Sequence, residues 1–198
     1  MTRPALLIPA LLLAGVPAIV QAQAADPAAA QIDAFDSALL KVMKQGKALG
    51  PQGRYRELQP AVERAFDLAA MTRFAVGAKW TSASPQQQTA LVNAFTRLTV
   101  ASYAHNFDSY DGERFVVDPN VQTRGPDKLV KSQIVPSKGA PTQIAYRMRQ
   151  VGGTWKVIDV YYKGSISELA TRRSDFSSAP DVQALIQRIN ALADKQMG

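Results

Sequence analysis

The stretch that decides the fold is Gly152–Phe176, which reads GGTWKVIDVYYKGSISELATRRSDF. It predicts a tight turn, a strongly apolar strand over Trp155–Tyr162, a Gly-Ser break and a short helix that ends near Phe176. Both faces of this strand carry apolar side chains, interrupted only by Lys156 and Asp159. Such a strand is typical of the middle of a sheet that is covered on both faces. We therefore predict that it is the central strand and that the rest of the chain covers it.

The start of the chain predicts export. Residues 1–24 contain a short segment with Arg3, an apolar run broken by two prolines, and the small-residue cleavage pattern Ala22-Gln23-Ala24. A membrane anchor is the alternative, but spanning needs about 20 consecutive apolar residues and this run is shorter. We therefore expect a cleaved signal peptide over residues 1–24 and a single domain over residues 25–198, located outside the cytoplasm.

The net charge of the chain indicates which kinds of partner it binds, and its lack of cysteine indicates how the fold is stabilised. The chain has 198 residues, one His, no Cys and a net charge of +7, which falls to +6 when the signal peptide takes Arg3 away. Without disulfides, the fold depends on its core. The moderate positive charge favours anionic partners such as lipid head groups, whereas nucleic acid is a poor match for an exported protein.

Helical periodicity fills the first half of the domain. The pattern predicts helices over residues 26–47, 52–66, 68–76 and 84–107. Pro60 is expected to kink or divide the second of these helices. The strongest helix start is Ser84–Gln87, where a capping Ser is followed by Pro in the first turn and by Gln three residues after the cap.

Alternating apolar and polar residues come next along the chain. They predict four strands, over residues 114–118, 128–135, 143–150 and 155–162, whose short connections make neighbours antiparallel. In the third strand, Ile144–Met148 alternates so that Ile, Tyr and Met point one way and Ala and Arg the other. Two more helices are predicted after Ser165 and after Pro180. The class is therefore α+β, with a curved four-stranded antiparallel sheet packed against a layer of helices.

The sequence offers little catalytic chemistry. His105 is the only His and, without Cys, has few companions for a transition-metal site. Asp108, Asp111 and Glu113 lack the spacing of a calcium loop and fit an ordinary turn. We therefore predict no catalytic residue, no metal and no cofactor.

Asp159 is the one carboxylate that interrupts the apolar strand. A buried Asp needs partners, and candidates are nearby arginines or backbone amides close to Ser165. The first interpretation is a structural anchor that joins this strand to the segment after it. The alternative is an acid or base in a pocket, with Tyr146 or Tyr161 beside it.

Helices and sheet together supply a large apolar surface. Periodicity alone does not distinguish a filled core from a hollow one. The residues that meet there are Phe74, Trp80, Leu91, Phe95, Leu98, Tyr103, Phe107, Phe115, Ile134, Ile144, Tyr146, Met148, Ile158 and Val160.

Four segments resemble the MlaC, or toluene-tolerance, family of periplasmic lipid-binding proteins. They are FDLAAMTRFAVGAKWTSASPQQQTALVNAF from Phe66, TVASYAHNFDSYDGERFVV from Thr99, YRMRQVGGTWKVIDVYYKGSIS from Tyr146, and RSDF from Arg173. The sequence is most similar to that of the hopanoid-cluster branch, the HpnM-like proteins. This similarity lies in the segments FDLAAMTRFAVG, NFDSYDGERF and ATRRSDF.

The resemblance implies an apolar cavity enclosed by sheet and helices, with the fourteen residues just named as its lining. It implies a carrier that moves phospholipid or hopanoid between the membranes without catalysis. The partners implied are an inner-membrane ABC or RND-type transporter complex and an outer-membrane lipoprotein complex. Burying about 30 methylenes of two acyl chains contributes roughly 24 kcal/mol, so an open groove would leave much of this energy unused.

Overall fold

The computed structural model describes residues 25–198, so the predicted signal peptide lies outside the described residues. These residues form six helices and one sheet. The helices are α1 Pro27–Ala65, α2 Leu68–Val76, α3 Lys79–Ser82, α4 Pro85–Asn106, α5 Glu168–Ser177 and α6 Val182–Met197. The strands are β1 Arg114–Val117, β2 Gln122–Arg124, β3 Asp127–Val135, β4 Thr142–Val151, β5 Thr154–Tyr162 and β6 Ile166–Ser167.

The two helices predicted before residue 66 form α1, with a break at Gly50. Gly50 has φ 62° and ψ 177°, a backbone conformation that glycine adopts without a steric penalty. Pro60 lies inside the helix and does not divide it, because Gly50 is the only non-helical position within α1. The predicted capping box is confirmed, because Ser84 accepts from the Gln87 backbone N–H and the Gln87 side chain accepts from the Ser84 N–H.

The sheet is antiparallel and contains the four predicted strands plus two short ones. Its order is β1-β3-β4-β5-β6, and β2 pairs with the first residues of β3 beside β1. The central position therefore belongs to β4, and the prediction that Trp155–Tyr162 is central is wrong. Within the described part of the chain, the outer edge of β5 pairs only with the two residues of β6 and, through an isolated bridge, with Phe66. Helices α1, α2 and α5 pack against β5 and supply the burial that its apolar sequence indicated.

A β-bulge interrupts β5 at Ile158. Arg147 of β4 pairs with Asp159, but its neighbour Met148 pairs with Val157, so Ile158 has no partner residue. One additional residue reverses the alternation of faces along a strand. Strict alternation predicted that Ile158 and Val160 share a face and that Asp159 and Val157 share the other. The bulge instead places Val157 and Val160 on the same face as Met148 and Tyr146, and Asp159 on the outer face.

The core lies between the sheet and the helices. Its largest fully buried members include Tyr146 on β4, Leu98 on α4 and Ile189 on α6. Helix α6 packs along α4 and forms the outermost helical layer. Within residues 25–198, no helix is long and apolar enough to cross a membrane.

Gly46 lies where α1 passes closest to the end of α4. A Cβ atom at this position would lie 2.0 Å from the Asp108 carbonyl oxygen, and the buried Arg54 donates to the Gly46 carbonyl at 2.9 Å and to that of Ala104 at 2.7 Å. We expect Gly46→Ala to lower the free energy of unfolding by about 2 kcal/mol, because backbone must move to admit the methyl group. Urea unfolding measures this, with the exposed Ser37→Ala on the same helix as control; equal stability of the two variants would contradict the close approach.

Candidate functional site

A pocket of about 520 Å³ opens between α4, α5 and the concave face of the sheet. It is partly open to solvent, and apolar surface predominates in its walls. The lining residues are Phe66, Met71, Phe95, Leu98, Thr99, Ser102, Tyr103, Asn106, Phe107, Ile134, Thr142, Ile144, Tyr146, Val160, Tyr162, Glu168, Leu169 and Arg172.

The pocket is apolar at its base and polar at its mouth. Phe95, Leu98 and Tyr146 are almost fully buried, whereas Asn106 and Glu168 are exposed. This gradient suits a ligand with an apolar body and a polar end.

Aromatic rings stiffen the wall that α4 provides. Tyr103 stacks on Phe107, with centroids 5.8 Å apart and ring planes 13° from parallel. Phe35 and Phe66 meet the Tyr103 ring edge-on at 5.2 Å and 5.6 Å. Such pairs are a favoured aromatic geometry, so this wall is held in a defined shape.

Eight of the fourteen residues predicted to line a cavity lie in the pocket wall. They come from α4, β3, β4 and β5, where helical and strand periodicity determined the face correctly. They are Phe95, Leu98, Tyr103, Phe107, Ile134, Ile144, Tyr146 and Val160.

The other six predicted lining residues lie outside the pocket. Leu91 and Met148 are completely buried in the filled core. Phe115 packs behind the pocket against Phe107, with centroids 6.0 Å apart. Ile158 occupies the bulge of β5, which takes it off the concave face. The remaining two belong to α2 and α3.

Phe74 and Trp80 lie on a separate surface formed by α2 and α3. Phe74 is 47% exposed, and the Arg173 guanidinium lies 5.0 Å from its ring centroid. The Arg73 guanidinium lies 5.4 Å from the Trp80 ring in the same way. A helical face that is apolar in sequence was predicted to turn inward, but cation–π contacts accommodate these rings at the surface.

Several lining residues were not predicted. Met71 on α2 and Leu169 on α5 contribute because both helices pack together beside β5. Tyr162 shares the face of Val160 two residues away, so strand parity was a usable signal for it. Glu168 and Arg172 carried no signal in the sequence, since a charged pair on a short helix ordinarily faces solvent.

A buried carboxyl group lies behind the pocket wall. Asp36 on α1 is 2% exposed, and Ser132 on β3 donates to its Oδ2 at 2.8 Å, while Oδ1 has no hydrogen-bond partner among the described residues. Burial raises the pKa of Asp36 to about 7, with the Ser132 hydrogen bond acting in the opposite direction. Burial and this carboxyl group also raise the pKa values of Tyr103 and Tyr146. The Asp36 carboxyl therefore interacts electrostatically with two residues of the pocket wall, Tyr103 and Tyr146.

Asp159 joins β5 to the start of α5. Its Oδ1 accepts from the backbone N–H groups of Val160 at 2.8 Å and Leu169 at 3.2 Å, and its Oδ2 accepts from Ser167 Oγ at 2.8 Å. Ser167 in turn caps α5 by accepting from the Ala170 N–H at 2.9 Å. The cap is thus Ser167 rather than the predicted Ser165, because Ile166 and Ser167 first pair with β5. These contacts support the anchor interpretation, and Asp159 is not part of the pocket wall.

We expect Asp159→Ala to lower the free energy of unfolding by about 2 kcal/mol, because it removes three hydrogen bonds and leaves the Leu169 N–H without its acceptor. Chemical denaturation followed by circular dichroism measures the change. Asp175→Ala, an exposed change on the same helix, is the matched control. A loss no larger than that of the control would show that Asp159 does not anchor α5.

The basic outer face of the sheet is largely occupied by internal contacts. Arg147 and Arg149 both donate to Asp127, each at 2.6 Å from Nε, and these contacts hold the pKa of Asp127 below its usual value. Lys156 donates to the Glu63 and Arg64 backbone carbonyls at the end of α1. The family resemblance implies that five cations face outward, toward head groups or a partner: Lys131, Arg147, Arg149, Lys156 and Lys163. Three of them, Arg147, Arg149 and Lys156, are engaged in contacts within the protein.

His105 is exposed near the end of α4 and does not line the pocket. In residues 25–198, no three His, Asp or Glu side chains lie close enough together to hold a metal ion. Asp111 and Glu113 occupy the predicted turn, where Glu113 accepts from the Asp111 N–H at 2.6 Å.

An antiparallel sheet that is backed by helices, with an apolar pocket between the two layers, defines an α+β binding protein. The chain belongs to the MlaC family, because the family model described as "MlaC protein" matches residues 33–193.

Two known proteins illustrate the family likeness. The toluene tolerance protein ttg2D of Pseudomonas putida is 24% identical over 126 residues, which are 63% of this chain and 59% of that relative. The solved structure of a phospholipid-binding protein from Ralstonia solanacearum, in complex with a phospholipid, superposes with a TM-score of 0.76. The match covers 87% of this chain and all of that one at 20% identity, so it establishes the fold.

Proposed function

We propose that the protein is a periplasmic lipid carrier that holds acyl chains in the pocket and shuttles lipid between the inner and outer membranes without catalysis. The observation that carries this proposal is the largely apolar pocket between α4 and the sheet, whose wall includes the fully buried Tyr146 and whose exposed mouth carries Glu168. The solved relative of the same fold holds a phospholipid, which supports the same class of ligand here.

Export and partners are proposed from the family. The predicted signal peptide over residues 1–24 would deliver the protein to the periplasm. There it would receive lipid from, or hand lipid to, an inner-membrane ABC or RND-type transporter complex and an outer-membrane lipoprotein complex. A soluble carrier is required because each methylene of an acyl chain costs about 0.8 kcal/mol to expose to water.

A phospholipid is the preferred cargo, and a hopanoid is the alternative. The likeness to HpnM-like proteins favours the hopanoid. The positive charge of the chain and the charged pocket mouth favour a phospholipid. Two other functions receive less support. An enzyme using Asp159 would need a carboxylate that faces the pocket, but its oxygens are bound to α5 and β5. An adaptor with a filled core would have no pocket of this size.

Native mass spectrometry tests the proposal. The full chain is expressed with its own N-terminus in a bacterial host, purified from the periplasm without detergent, and measured before and after release of bound molecules. We expect a protein with bound lipid that mass fragmentation identifies as a phospholipid. A hopanoid would support the alternative cargo, whereas protein without lipid that also fails to take lipid from vesicles would overturn the carrier function.

We expect His105→Ala to leave lipid capture unchanged, because His105 is exposed and lies outside the pocket wall. The measurement is the amount of lipid per protein after purification. A variant that folds normally but has lost its lipid would contradict the proposal that apolar contacts alone hold the lipid, and would assign a role in binding to His105.

A further inference from the structure

The pocket wall contains two charged residues, one of each sign. They are Glu168 and Arg172, in the first two turns of α5, and every other lining residue is apolar or uncharged. Residues four apart on a helix lie on the same side, with Cβ atoms about 5–6 Å apart. The mouth of the pocket therefore presents a carboxylate and a guanidinium next to each other.

Neither charge is satisfied by the protein itself. Throughout residues 25–198, no hydrogen bond or ion pair reaches the side chain of Glu168 or Arg172, and the two do not pair with each other within 4.0 Å. Arg172 is nevertheless half-buried against the pocket, while its neighbour Arg173 stacks on Phe74. A guanidinium that is partly removed from water and forms no ion pair within 4.0 Å favours an anionic ligand group.

We propose that the pocket mouth recognises a zwitterionic phospholipid head group, with the phosphodiester on Arg172 and a primary amine on Glu168. This inference rests on the proposed carrier function and adds head-group selectivity to it. A phosphate and an amine joined by a two-carbon linker place opposite charges a short distance apart, as do a carboxylate and a guanidinium four residues apart on one helix. Guanidinium binds phosphate through two parallel hydrogen bonds, and carboxylate accepts from an ammonium group.

Other lipids match this mouth less well. Phosphatidylglycerol offers the phosphate to Arg172 but brings hydroxyl groups, not an amine, to Glu168. A neutral hopanoid offers no phosphate, so Arg172 would remain without an anion. The selectivity thus depends on Glu168, and the affinity for any phospholipid depends on Arg172.

The test compares lipids that differ only in head group. Delipidated protein is incubated with vesicles of equal parts phosphatidylethanolamine and phosphatidylglycerol with identical acyl chains, and the captured lipid is quantified by mass spectrometry. We expect the wild type to capture at least about fivefold more phosphatidylethanolamine. Glu168→Gln should bring the ratio to that of the vesicles, and Arg172→Gln should reduce capture of both lipids about tenfold, which is the usual effect of losing a charge-assisted hydrogen bond.

Matched controls separate this effect from general charge changes. Glu57→Gln on α1 and Arg188→Gln on α6 make the same substitutions at exposed positions away from the pocket, and should leave both the ratio and the amount unchanged. Thermal melts establish that all variants are folded. Capture by the wild type in the vesicle ratio would overturn the head-group inference and leave the carrier function standing. Capture of neither lipid would overturn both.

Discussion

Asp36→Asn is expected to stabilise the protein more at pH 8 than at pH 4. The increase in the free energy of unfolding that the substitution causes should be about 4 kcal/mol larger at pH 8. The carboxyl of Asp36 has a pKa of about 7 in the folded protein and an ordinary value of 3.8 when exposed. The folded state therefore favours the protonated form of Asp36. The stability that this carboxyl group contributes is fully present below pH 4 and is lost as the pH rises towards 7. The gap between the two pKa values corresponds to about 4 kcal/mol. Asparagine is uncharged throughout and keeps an acceptor for Ser132.

The groups that face Asp36 do not titrate in this range. Ser132 on β3 stays neutral, and burial raises the pKa values of Tyr103 on α4 and Tyr146 on β4 above their usual range. Asp33, one turn away on α1, is exposed and raises the pKa of Asp36 slightly by its charge. Asp33→Asn is therefore the control. Urea unfolding from pH 4 to pH 8 gives the result, and parallel pH curves for wild type and Asp36→Asn would refute the assignment.

Val160→Asp is expected to abolish lipid capture, with a loss of at least about a hundredfold. Val160 pairs with Tyr146 across β4 and β5 and lines the pocket. A carboxylate there would keep its hydration only by admitting water beside the acyl chain, and a hundredfold loss corresponds to about 3 kcal/mol of binding free energy. The measurement is lipid per protein in native mass spectra.

Val151→Asp provides the matched control for this change. It introduces the same charge on the same hairpin, but Val151 is 44% exposed and lies outside the pocket. We expect this variant to keep its lipid. Val160→Asp protein that is folded and still fully loaded would show that the lipid does not occupy the pocket described here.

Local patterns in the sequence predicted most of the fold because they depend on neighbouring residues. The capping box at Ser84 predicted the start of α4 correctly. The bulge at Ile158 was not predictable in this way. Strand β5 is largely apolar on both faces, so a shift of the alternation by one residue does not change the polarity pattern enough to be recognised. The bulge is seen only in the pairing with β4.

The candidate site was predicted in part. Residues of its apolar wall follow from periodicity, but Arg172 and Glu168 depend on how α5 docks beside β5, which is a tertiary contact. Asp36 carried a usable signal in its spacing. It lies four residues after Ile32 and three before Leu39, both completely buried, and therefore on the buried face of α1.

The short flanking strands also determine how copies of the protein behave at high concentration. A long open strand edge is a template for intermolecular pairing and aggregation. Here the flanking strands β1, β2 and β6 have four, three and two residues, and the long strands β3, β4 and β5 lie between them. The outer edge of β5 is the exception, because β6 pairs with two of its nine residues; the bridge to Phe66 and the packing of α2 and α5 limit access to the rest of that edge. Strand pairing between neighbouring molecules is therefore limited, although one face of the sheet is apolar.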